Sequence, residues 1–137
     1  MDEARQGTAD KLIRNVFRYM DKNARDIMTH RKNIVALDGN TKLSEAIEFF
    51  TEENYSRFPV YGEDIDEIVG IVHLRDAIKY YLNEEQREIP VKNLEGFIRP
   101  VRFIPETKSI DKVFQQMLSE KSMMMIVVDE YGQTAGI

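Results

Sequence analysis

Four separate stretches of this chain recur, in the same order, 66 to 68 residues further on. Asp38 matches Glu106, Leu43 matches Ile110, Pro59 matches Ile126 and Gly70 matches Gly136. A nearly constant offset across unconnected segments is the mark of internal duplication, and it restricts the fold to one small unit made twice. In the first copy, residues 33–37 are a β-rich run. Residues 41–53 put Leu43, Ala46, Ile47 and Phe50 on one helical face, with Thr41 or Ser44 as the N-cap. Residues 58–61 read as a strand, in which Pro59 predicts a sheet edge or a strand start. Residues 62–66 are a turn, 68–72 a buried strand and 75–82 a second helix. The second copy follows the same order. It has a strand at 101–104, a helix at 109–120 (Ile110, Val113, Phe114 and Met117 on its face), a strand at 124–128, a turn at 129–133 and the start of a strand at 134–137. The predicted class is α/β (α+β), with two tandem β-α-β-β-α repeats, the second stopping before its last helix.

The boundaries follow from this reading. Residues 1–22 are a polar lead and an amphipathic helix, 23–83 the first repeat, 84–96 a polar, charged linker containing Pro90, and 97–137 the incomplete second repeat. Within the leading segment, Leu12, Ile13, Val16, Phe17 and Met20 lie on one helical stripe. That stripe is expected to pack on the same domain; the alternative is a connecting or partner-binding helix.

Composition removes several function classes. There is no cysteine, which rules out disulfides, thiolate zinc sites and a cysteine nucleophile. The net charge of −5 argues against bulk nucleic-acid binding, which needs a basic face. No apolar run approaches the ~18–20 residues that span a bilayer, and the polar N-terminus does not read as a signal peptide, so the fragment is expected to be soluble. His30 and His73 have no partner at metal-ligand spacing. The acidic cluster Glu63, Asp64, Asp66 and Glu67 lacks the spaced ligands and glycine of a calcium loop and reads as a solvated turn. No metal site and no catalytic residue is expected, and the chain is not read as an enzyme.

Five stretches carry a resemblance: Asp26-Ile27-Met28-Thr29, Ser56 to Tyr61, Gly70 to His73, Pro100 to Glu106, and Val127 to Gly132. In this order and spacing they resemble the tandem CBS-domain pair, or Bateman module, of the CorC and hemolysin C group of membrane ion-transport-associated proteins. The sequence departs from that pattern at His30, where proline is usual, and in the methionine-rich run 123–125. The family's membrane and transporter-associated domains are not in this sequence. The resemblance implies two α/β units packed through their sheets with pseudo-two-fold symmetry, leaving two clefts. It also implies AMP, ADP or ATP as ligand, with Mg²⁺ arriving only with the nucleotide, and a homodimer. The implied location is the cytoplasmic face of a membrane protein that moves divalent cations such as magnesium or cobalt. No nucleic-acid partner is implied.

The resemblance places Thr29, Ile34, Tyr55, Ser56, Arg57, Phe58, Pro59, His73 and Asp76 in the first cleft. Ile34 and Pro59 would meet the base, and Arg57 a phosphate as a bidentate donor. Asp76 has two readings. Its carboxylate accepts from adjacent ribose hydroxyls, or it caps its own helix. His73 stands where threonine or serine is common. The second cleft would be lined by Phe97, Arg99, Val101, Arg102, Met123 and Met124, its ribose carboxylate falling beyond Ile137. The basic cluster His30, Arg31 and Lys32 faces phosphates or lipid, or is a solvated loop. Met123, Met124 and Met125 serve adaptable packing or fill the core. The leading expectation is a regulatory module that senses an adenosine nucleotide; the alternative is a structural homodimerisation module without a small-molecule ligand.

Overall fold

The computed structural model describes residues 7–13, 15, 16 and 21–137. In chain order the elements are α1 (Ala24–Ile27), β1 (Leu37–Asp38), α2 (Leu43–Glu53), β2 (Arg57–Tyr61), β3 (Ile68–His73), α3 (Leu74–Tyr81), β4 (Arg102–Pro105), α4 (Ile110–Glu120), β5 (Met125–Val128) and β6 (Thr134–Gly136). Residues 7–13, 15 and 16 are also helical. No described helix is long and apolar enough to cross a membrane. Backbone packing divides the chain into a central unit, Arg31–Val101, and a terminal unit, which joins the residues up to His30 with Arg102–Ile137.

Each unit holds a three-stranded sheet of the same design. In the central unit β2 pairs in parallel with β1 and antiparallel with β3. In the terminal unit β5 pairs in parallel with β4 and antiparallel with β6. The repeat extends to irregularities. Both sheets carry a register shift, at Val60/Tyr61 and at Val127/Val128. The helices α2 and α4 each run 11 residues and end on left-handed residues, Asn54 (φ 60°) and Lys121 (φ 54°). Neither is glycine, although the conformation favours it.

Several local expectations change. The first strand is two residues long, Leu37–Asp38, and Asn33 belongs instead to a 3-10 turn, Arg31–Asn33. Pro59 lies in the central strand of its sheet rather than at an edge. Its partner Ile71 turns both backbone groups towards Arg99 (N–H to Arg99 carbonyl 2.9 Å, carbonyl from Arg99 N–H 2.8 Å). Pro59 therefore occupies a non-hydrogen-bonded position towards β3, where its missing N–H costs no ladder bond to that strand. Neither Thr41 nor Ser44 caps α2. Its first N–H groups donate to carbonyls from a distant segment: Leu43 to Ile89 (3.1 Å) and Ser44 to Arg87 (2.9 Å). In the leading helix Leu12, Ile13 and Val16 are exposed rather than packed on the domain. Phe17 and Met20 lie outside the described residues.

The main correction concerns the expected linker, 84–96. Val91, Leu94 and Phe97 are buried with Leu37, Leu43, Phe50, Phe58 and Val72 in the core of the central unit. Their spacing of three puts them on one side of the chain, while Lys92, Asn93, Glu95 and Gly96 give the segment its polar look. The segment leading into the first repeat does the equivalent in the other unit. Ala24, Arg25 and Ile110 donate backbone N–H groups to Lys108, Glu106 and Lys22 (2.8, 3.0 and 3.0 Å). Val91, Lys92 and Leu43 donate to Thr41, Gly39 and Ile89 (2.8, 3.0 and 3.1 Å). These two sets are the same bonds displaced by 67 residues. The segment that precedes each repeat is thus built into the unit formed by the other repeat.

Candidate functional site

In the central unit β3 runs into α3 without an intervening loop. A helix start leaves N–H groups without intrahelical partners. Here Leu74 N–H donates to the Ser56 carbonyl (2.9 Å), and Arg75 N–H donates to His73 Nδ1 (3.0 Å). His73, extended at φ −118° and ψ 136°, is the N-cap. Asp76, in the first turn, does not cap the helix. Its side chain turns to Arg99, which donates from Nε to Oδ2 (2.6 Å) and from Nη2 to Oδ1 (2.9 Å). Asp76 is only 7% exposed, whereas the Arg99 side chain is 60% exposed. Such a bidentate, charge-assisted pair satisfies a buried carboxylate with well-fixed geometry. The hydrogen bond to Asp76, and then its charge, hold the Arg99 guanidinium still more firmly protonated than usual.

Arg57 is the cross-strand partner of His73. Three cations, Arg57, Arg75 and Arg99, act on the imidazole, with Asp76 opposing them. Burial first, then Arg57, lowers the His73 pKa below its ordinary 6.5. A neutral ring suits the cap, because Nδ1 must accept a hydrogen bond there. The unfolded chain therefore binds the proton more readily than the folded one. His73 contributes stability fully above about pH 6.5, and that contribution is lost as the pH falls through the lowered folded-state value. Acidification from pH 7 to 5 is expected to destabilise the wild type more than His73→Asn, whose amide oxygen caps without titrating. Urea unfolding at both pH values checks this; equal acid sensitivity of the two proteins excludes His73 as the cause.

The other expected first-cleft residues fall into three groups. Phe58 and Pro59 are buried in the core of the central unit. The Phe58 ring lies 4.7, 5.0 and 5.8 Å from those of Phe49, Phe50 and Tyr55. Tyr55 and Ser56 are exposed, and Ile34 and Arg57 are half-buried. Thr29 belongs to the terminal unit, where its backbone exchanges hydrogen bonds with Ile137 (2.9 and 3.1 Å).

The expected second-cleft set is divided between the units. Phe97 is fully buried, with its ring 5.3 Å from Tyr80, so it fills core rather than lining a ligand site. Arg99 belongs with Asp76 of the first repeat, and Val101 is half-buried in the central unit. In the terminal unit, Arg102 pairs with Glu120 (3.4 Å). Met123 is exposed, Met124 is half-buried and Met125 is in the core. Of the basic cluster, Arg31 forms a two-point pair with Asp66 of the acidic turn (2.5 and 3.2 Å).

The role of Arg99 was not legible along the chain. Its one signal was the displacement of leading segments, since Arg99 pairs with Ile71 as Thr29 pairs with Ile137. A groove of about 310 Å³ on the β1–α2 side is lined by Asp38, Glu45, Glu48 and Glu52 with Phe49 and Tyr61. Its four carboxylates repel a polyanion, whereas the arginines beside α3 attract one.

The CBS-domain family profile matches residues 24–83. The magnesium and cobalt efflux protein CorC of Vibrio cholerae is 31% identical over 126 residues, covering 92% of this chain and 42% of that protein. The UPF0053 protein YugS of Bacillus subtilis is 34% identical over 128 residues, covering 93% of this chain and 28% of that protein. The chain thus spans 28 to 42% of the length of these two relatives. Among solved structures, the CBS domain of a bacterial CNNM/CorC family Mg²⁺ transporter, in complex with ATP, has a TM-score of 0.75 and 34% identity. That match covers 84% of this chain and 79% of the other.

Proposed function

The chain belongs to the CBS-domain family, among the CBS modules of the CNNM/CorC proteins, and from this we propose that it is a regulatory module binding AMP, ADP or ATP at the β3–α3 junction. Asp76 is the group that answers the ribose, and Arg57 the group that answers phosphate; Mg²⁺ comes only with the phosphates. The observation that carries the reading is a buried carboxylate in the first turn of α3 that holds Arg99, next to a His73 on which Arg57 and Arg75 also act. A helix N-terminus and guanidinium groups together favour a polyanion, while a carboxylate beside them accepts from a vicinal diol. The ATP complex of a 34% identical relative supports the ligand class. As part of a longer protein, the module would act from the cytoplasmic face on an attached divalent-cation transporter, as a homodimer. Nucleotide alters such a transporter only by binding one of its states better than another.

Calorimetric titration of the chain with AMP, ADP and ATP, with and without Mg²⁺, tests this. We expect saturable binding that Asp76→Ala weakens at least tenfold. No heat and no thermal stabilisation at millimolar nucleotide would sink the reading. The capture of Asp76 by Arg99 favours a second reading, a homodimerisation module with no small ligand. That reading expects a concentration-dependent dimer by sedimentation whose stability ignores nucleotide.

A further inference from the structure

Resting on the nucleotide reading, we propose that Arg99 is a tethered competitor for the Asp76 carboxylate, so that a ligand with a vicinal diol binds only by displacing it. Both carboxylate oxygens already accept from one guanidinium, at 2.6 and 2.9 Å. Asp76 is nearly closed off from solvent, so a diol cannot reach it while that guanidinium is in place. The tether is firm at the backbone. Arg99 exchanges two hydrogen bonds with Ile71, and Gly70 lets the two chains approach this closely. The Arg99 side chain as a whole is mostly solvent-exposed and can swing out without disturbing that ladder.

This arrangement discriminates among ligands. A neutral diol can donate two hydrogen bonds to the carboxylate but brings no positive charge to replace the guanidinium's two-point ion pair, so it is a poor exchange. A phosphorylated nucleoside can in turn pair with the released guanidinium and with Arg57. The unmodified site therefore selects nucleotide over nucleoside, and Arg99 supplies part of that selection.

The test is titration of wild type, Arg99→Gln and Arg99→Lys with adenosine and with ATP. Thermal melts verify that each variant is folded, and Arg99→Lys serves as the variant that retains charge while losing the two-point fork. Arg99→Gln is expected to raise adenosine affinity roughly tenfold or more, and Arg99→Lys to raise it less. The gain should vanish when Asp76→Asn is added to Arg99→Gln. If wild type binds ATP and neither Arg99 variant gains adenosine affinity, the competitor role is overturned and the nucleotide reading stands. If no protein binds either ligand at millimolar concentration, both fall.

Discussion

Replacing Gly70 with alanine is expected to lower the unfolding free energy by about 3 kcal/mol. A Cβ at this position would fall inside contact distance of the Arg99 carbonyl oxygen and 2.6 Å from Ile98 Cγ2. The carbonyl is backbone, locked to Ile71 by two hydrogen bonds, so the strain cannot be relieved by a rotamer change. The 98–101 segment must lift from β3, giving up those bonds and exposing apolar surface. In a unit of this size such a loss corresponds to a fall in Tm of roughly 12–24 °C. Gly136→Ala should act similarly in the terminal unit, where the new methyl would meet the Thr29 carbonyl and Met28 Sδ (2.6 Å). Gly62→Ala is the control: its Cβ meets the carboxylate end of Glu67, a side chain free to move. Urea unfolding of the three variants decides the matter. A Gly70→Ala protein as stable as Gly62→Ala would show that the backbone approach at Arg99 is not a constraint.

Phe97→Ala is expected to cost about 3–5 kcal/mol, the usual penalty for emptying an aromatic site in a closed core. Phe97 is fully buried, edge-on to Tyr80, and clustered with Val91 and Leu94. A residue lining a ligand cleft would behave in the opposite manner. Its truncation would leave stability within about 1 kcal/mol of wild type and alter ligand affinity instead. Denaturant unfolding of Phe97→Ala and Phe58→Ala separates the two, since Phe58 lies in the same core and sets the scale. A Phe97→Ala variant with near-native stability would return residues 84–96 to the status of a linker.

Much of the architecture could be read along the chain because it is local. Helix faces such as Leu43, Ala46 and Phe50 follow from a 3.6-residue period, and the strand at 68–72 from β-branched composition, although its burial alternates, with Val69 exposed and Ile71 half-buried, rather than running through the whole strand. Helix α4 shows the same logic at Ile110 and Val113. Local reading failed where partners are remote. Lys42 precedes α2 without a side-chain cap because the 87–89 segment supplies the carbonyls. Pro59 sits mid-sheet because Ile71 faces Arg99, which no β-propensity records. At the candidate site, Asp76 and Arg57 were identifiable from their motifs. The cap at His73 and the grip of Arg99 depend on side-chain direction and on a segment 23 residues away.

By itself the sequence determined that one α/β unit is made twice, at an offset near 67 residues, and which faces of each helix and strand are apolar. Periodicity is a property of neighbours along the chain, so it survives without a fold. Only the tertiary structure decided which leading segment completes which unit. Two copies of one backbone plan offer similar hydrogen-bonding edges, and the choice between them rests on the path of the chain and on the packing of Val91, Leu94 and Phe97. That choice sets Arg99 against Asp76, and with it the chemistry open to the site.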